Sequence, residues 1–76
     1  MSSAALYFGM LLTVNGAPRT AESGETVAGL LAGLGLDPRM VVVERNGTIL
    51  RQRDEFAALA LAEGDTLELV HFVGGG

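Results

Sequence analysis

Neither cysteine nor lysine occurs in this chain of 76 residues. Without cysteine there are no disulfides, no thiolate metal site and no cysteine nucleophile, and redox logic leaves the compartment open. Without lysine the protein cannot link copies of itself through lysine amines, although its own carboxyl end could still be joined to another protein. All five basic residues are arginine (Arg19, Arg39, Arg45, Arg51 and Arg53), set against nine acidic ones for a formal charge of -4. An acidic balance with no basic cluster argues against phosphate-backbone binding, so no nucleic-acid partner is expected. Long apolar runs are also missing. The longest, residues 27–36, is interrupted by three glycines and is far too short to span a bilayer. No basic-then-apolar signal precedes it. The expectation is a soluble cytoplasmic protein with no membrane partner.

What is present suits one small domain. The hydrophobic fraction of 49% is ample for a core and argues against disorder. A chain this small buries only roughly 60% of its unfolded surface, so every core position counts. Residues 1–9 differ in character from the rest of the chain and read as an N-terminal extension of vector-encoded type, with Met10 as the original start and Leu6 to Phe8 able to dock on an open sheet edge. The folded domain is expected over residues 10–73, and residues 74–76 form a flexible C-terminal glycine tail.

Along the domain, residues 10–14 form a strand candidate closed by the turn pair Asn15 and Gly16, with residues 17–21 returning antiparallel and Pro18 at the start. Thr26 is the expected N-cap of a helix, because Val27, Leu30, Leu31 and Leu34 fall on one face. Gly35 suits the left-handed position beyond that helix, with Leu36 folding back over its last turn. Gly29 and Gly33 lie off the apolar stripe and read as tolerated surface glycines. Residues 40–45 are the strongest β-forming run and suit an inner strand. Asn46 and Gly47 then turn the chain so that residues 48–50 pair back. Residues 53–56 read as a short helical turn, with Phe56 and Leu59 plugging the core, and Glu63, Gly64 and Asp65 as a solvated tight turn. Residues 66–73 form the last strand, placed beside the first. One helix covering one face of a mixed four- to five-stranded sheet makes an α+β domain.

The segments Leu12-Thr13-Val14-Asn15-Gly16, Glu25-Thr26-Val27-Ala28-Gly29-Leu30-Leu31, Val41-Val42-Val43-Glu44-Arg45-Asn46-Gly47 and Glu63-Gly64-Asp65 recur in a known order. They end in Leu69-Val70-His71-Phe72-Val73-Gly74-Gly75-Gly76. In that order and spacing the chain resembles the β-grasp sulfur-carrier family, and within it the ThiS-like carriers of thiamine biosynthesis. The same fold holds ubiquitin. The resemblance implies a protein cosubstrate rather than an enzyme. A ThiF- or MoeB-like adenylyltransferase would use ATP to adenylate the Gly76 carboxylate, and a sulfur donor such as a cysteine desulfurase would supply a persulfide that displaces AMP. The resulting thiocarboxylate would give its sulfur to a thiazole built by a ThiG-like synthase. Gly74 departs from the usual pair of terminal glycines and lengthens the reach. No cofactor is expected to stay bound to the carrier.

The chemistry needs no side chain here, because a free carboxylate becomes an acyl donor on adenylation and a soft nucleophile once sulfur replaces oxygen. Gly74 and Gly75 supply reach and clearance for Gly76. Alternation along the last strand puts Val70 and Phe72 on the face opposite Leu67 and Leu69, so Val70, Phe72 and Val73 are the expected partner-binding residues. His71 has no second ligand nearby, and Asp54 with Glu55 point apart in a turn, so no metal site and no catalytic pair is expected. Three functions remain open. They are a sulfur carrier for thiazole, with molybdopterin or another sulfur-transfer pathway behind it; a ubiquitin-like modifier conjugated through Gly76; and a β-grasp binding module using a sheet face.

Overall fold

The computed structural model describes residues 9–72. Strand β1 (Gly9–Val14) turns at Asn15 and Gly16 into β2 (Ala17–Glu22), and helix α1 (Val27–Gly33) follows. A 3-10 turn at Pro38–Met40 leads into β3 (Val41–Arg45), which turns at Asn46 and Gly47 into β4 (Thr48–Leu50). A second 3-10 segment, Arg53–Ala58, precedes β5 (Thr66–His71). The sheet order is β2-β1-β5-β3-β4, with β1 and β5 parallel and the other neighbours antiparallel. The last strand in sequence is therefore the central strand in space. Met40, expected inside β3, instead closes the first 3-10 turn, because Pro38 fixes a turn that Asp37 caps through the Arg39 N–H at 2.9 Å.

Both hairpins use the same device. Asn15 and Gly16 have φ of 50° and 82°, and Asn46 and Gly47 have φ of 51° and 85°, the left-handed pair that matches strand twist. Each asparagine also reaches β5. Asn15 Oδ1 accepts from the Leu69 N–H at 2.7 Å, and Asn46 Oδ1 accepts from the Thr66 N–H at 2.9 Å. The turns thus set hairpin geometry and fasten the central strand from both sides.

Helix α1 has its expected caps. The Thr26 hydroxyl accepts from the Gly29 N–H at 3.0 Å, and the Leu59 carbonyl takes the Val27 N–H at 2.9 Å, so donors left free at a helix start find partners. At the other end Gly35, at φ 73°, donates to Ala32, and Leu36 donates back to Leu31, a Schellman closure. Val27, Leu30 and Leu31 are buried against Leu12, Val43 and Leu67 of the sheet, and Phe56 and Leu61 complete the core from the loop side. Truncating Leu31 to alanine would cost about 3 kcal/mol through lost transfer energy and the cavity left behind.

Asp65, expected in a solvated turn, is buried at 6% exposure. Its carboxylate accepts from Arg45 Nε at 2.9 Å, Asn46 Nδ2 at 2.9 Å and the Ala62 N–H at 2.8 Å. The turn side chain is a junction that locks the start of β5 onto the β3–β4 turn.

Candidate functional site

The site is built at the end of β5, because the chain leaves the sheet there. Leu67 lies fully buried under the helix and Leu69 packs against the core, while Glu68, Val70 and Phe72 turn to the opposite face. Val70 is 60% exposed and Phe72 43% exposed. Register sets Val70 directly across from Val42 of β3, and the Phe72 N–H donates to the Met40 carbonyl at 2.8 Å. Ile49 of β4 is also exposed, one row back, across from Glu44. The helix-free face thus carries an apolar strip over three strands, bordered by the facing pair Glu44 and Glu68. Leu11, equally apolar and exposed, lies toward the other end of the sheet, because Thr13 already pairs with Thr66 at the start of β5.

Of the residues expected to act, the structure brings Val70 and Phe72 onto one face with Val42. Val73, Gly74, Gly75 and Gly76 lie outside the described residues. His71 sits across from Val41 and is exposed. Asp54 and Glu55 are exposed in the first turn of the second 3-10 segment. Among the described residues, no group of three or more His, Cys, Asp or Glu side chains could hold a metal ion. No helix among them is long and apolar enough to cross a membrane.

Two further features were not anticipated. The first is an open depression of about 370 Å³ beside the last β1–β5 contact, walled by Val14, Pro18, Leu36 and Leu69. It arises where α1 ends short of the sheet corner, so only three-dimensional packing could reveal it. The second is the Asp37–Arg39 pair near the exit of β5, with Arg39 Nη2 2.8 Å from Asp37 Oδ2. Hydrogen bonds from Arg39 lower the Asp37 carboxyl to about 2.

A sheet in which parallel β1 and β5 lie side by side, covered on one face by a single main helix, defines a β-grasp domain. The ThiS family sequence model matches residues 6–76, beginning ahead of Met10 and running through the terminal glycines. The sulfur carrier protein ThiS of Bacillus subtilis is 41% identical over 51 residues, covering 67% of this chain and 76% of that protein. A thiazole synthase of Magnetococcus marinus is 48% identical over 67 residues, covering 88% of this chain and 20% of that protein. The chain therefore spans about a fifth of the length of the thiazole synthases it matches. The crystal structure of the thiamine biosynthesis protein ThiS from Geobacter metallireducens superposes with a TM-score of 0.72 at 38% identity, covering 88% of this chain and all of that one. This chain belongs to the ThiS family.

Proposed function

We propose that the chain carries sulfur on the Gly76 carboxylate for assembly of the thiamine thiazole. The observation that carries the reading is the placement of β5. The central strand ends in an exposed apolar strip, and four residues further on the sequence ends in three glycines that lie within the family match. The likeness to proteins named thiazole synthase supports thiazole, rather than molybdopterin, as the product served.

The chemistry follows from the carboxylate. Its negative charge repels nucleophiles and oxide is a poor leaving group, so a ThiF-like partner first transfers AMP from ATP to it and releases pyrophosphate. The terminal sulfur of a persulfide, charged by a cysteine desulfurase or similar donor, then attacks the acyl carbon and AMP departs. Cleavage of the remaining sulfur–sulfur bond by a thiol leaves the thiocarboxylate, which a ThiG-like synthase uses as its sulfur source. Val70, Phe72 and Val73 form the docking surface, and Gly74 and Gly75 let the end enter a narrow channel without side-chain clashes. Holding the reactive end beside its target supplies the proximity that free sulfide lacks.

Deleting Gly75 and Gly76 tests the reading. Thiazole formation in a reconstituted system should be abolished while the unfolding transition is unchanged. Undiminished thiazole formation by the truncated protein would contradict it.

A further inference from the structure

The edge of β5 beyond Asn15 has unmet backbone valence. β1 accompanies β5 through the Val14–Leu67 pair, Asn15 then donates its N–H to the Leu67 carbonyl, and Asn15 Oδ1 takes the Leu69 N–H. There the ladder stops. On the other side, Phe72 bonds Met40 and Val70 lies across from Val42, so the even residues of β5 turn their backbone groups toward β3. The Leu69 carbonyl and both backbone groups of His71 face the opposite way, where no group among the described residues pairs with them.

This edge bears directly on the carrier reading, on which the inference rests. Phe72 is four residues from Gly76, a span of roughly 13 Å at about 3.3 Å per residue. Any enzyme holding the Gly76 carboxylate at its reacting centre therefore brings its surface within that distance of Phe72, alongside the open edge. Covering an unpaired N–H or carbonyl without replacing its water carries a desolvation penalty, so the covering surface must supply donors and acceptors in alternation. An extended strand does so. The depression between Leu36, Leu69 and Pro18 lies beside the last ladder bond, on the helix-facing side of the sheet. A strand added where β1 would have continued directs alternate side chains to that side.

We propose that the adenylating enzyme, which must hold the Gly76 carboxylate first, adds an extended strand to the β5 edge along residues 69–72, pairing with the His71 N–H and the Leu69 carbonyl, and seats one apolar side chain in this depression. The carrier is thereby held by its backbone just ahead of the tail, a grip that fixes the direction in which residues 73–76 enter the partner.

The test is amide hydrogen exchange, read residue by residue on the full chain alone and bound to the adenylating enzyme. The His71 N–H should exchange about tenfold more slowly in the complex, while the Phe72 N–H, already bonded to Met40, changes little. His71→Pro removes the donor at a position outside the β3 ladder and should weaken binding about tenfold, whereas His71→Ala keeps the donor and should bind normally. Binding with unchanged His71 exchange, or equal losses in the two variants, overturns the strand pairing; if sulfur still loads onto Gly76, the carrier reading stands without it. Absence of any binding to the adenylating enzyme overturns both. Protection of His71 that rises with concentration in the free protein would assign the edge to a second copy of the chain and also overturn the proposal.

Discussion

Arg45 and Asp65, twenty residues apart in sequence, meet at 2.7 Å between Arg45 Nη2 and Asp65 Oδ2, with the aspartate almost wholly withdrawn from solvent. The guanidinium also donates to the Ala60 carbonyl at 3.0 Å, so one side chain ties the end of β3 to the loop entering β5. Asp65→Ala would leave Arg45, the Asn46 amide and the Ala62 N–H without their acceptor. A loss of about 3 kcal/mol in urea unfolding is expected. Unchanged stability would mean that the junction contributes nothing.

The same carboxylate sets an acid limit. Burial alone would raise its pKa, but hydrogen bonds from Asn46, the Ala62 N–H and Arg45 outweigh burial and hold it below the ordinary range. A depressed folded-state pKa gives stability that is present above the unfolded value of about 3.9 and is lost as pH falls through the lower folded value. Stability should therefore decline below about pH 4, and Asp65→Asn should flatten that decline while lowering stability at neutral pH. Asp37 acts in the same direction, but its pair with Arg39 is exposed and its contribution should vanish in high salt. Denaturant titrations from neutral to acid pH would check both.

Helix α1 offers a contrast between two glycines. A Cβ at Gly33 would meet only Arg19 Nη2 at 3.7 Å, an ordinary contact, whereas one at Gly29 would collide with the Glu25 carboxylate that accepts from the Thr26 N–H. Gly33→Ala should therefore stabilise the fold by up to about 1 kcal/mol. Gly29→Ala should gain less, because Glu25 must leave its place. Thr26→Ala, which removes the helix cap, should cost about 1 kcal/mol. Thermal melts of the three variants would rank them.

Phe72 and Val70 are exposed on the helix-free face, so changing them leaves the core untouched. Phe72→Ala should weaken binding to the adenylating enzyme about tenfold with no shift in unfolding midpoint. Val70→Asp should do at least as much, by placing a charge in the strip beside Val42. Calorimetric titration measures the affinity, and an unchanged value would remove Phe72 from the docking surface.

Much of the fold was legible because its signals are local. The pairs Asn15 with Gly16 and Asn46 with Gly47 announce their turns, and Thr26 and Gly35 bracket an apolar stripe that could only be a helix. The expected placement of the last strand beside the first is found, as the parallel pairing of Thr13 with Thr66. What escaped the sequence depends on distant partners. Asp65 looks like any turn aspartate until Arg45 and Asn46 are brought to it across β5. The open backbone of His71 is likewise a consequence of β1 stopping at Val14 while β5 runs on. The apolar faces of Val70 and Phe72 were readable from alternation alone. Their alignment with Val42 required the register.

The proposed function depends on sulfur being carried on the last carboxylate. Its most direct test is intact and fragment mass measurement after incubating the full chain with ATP, the adenylating enzyme and a persulfide-charged sulfur donor. An oxygen-to-sulfur mass gain is expected that appears only when ATP is present and maps to Gly76. A protein that retains its original mass under conditions where the adenylating enzyme consumes ATP, or that gains sulfur elsewhere in the chain, would contradict it.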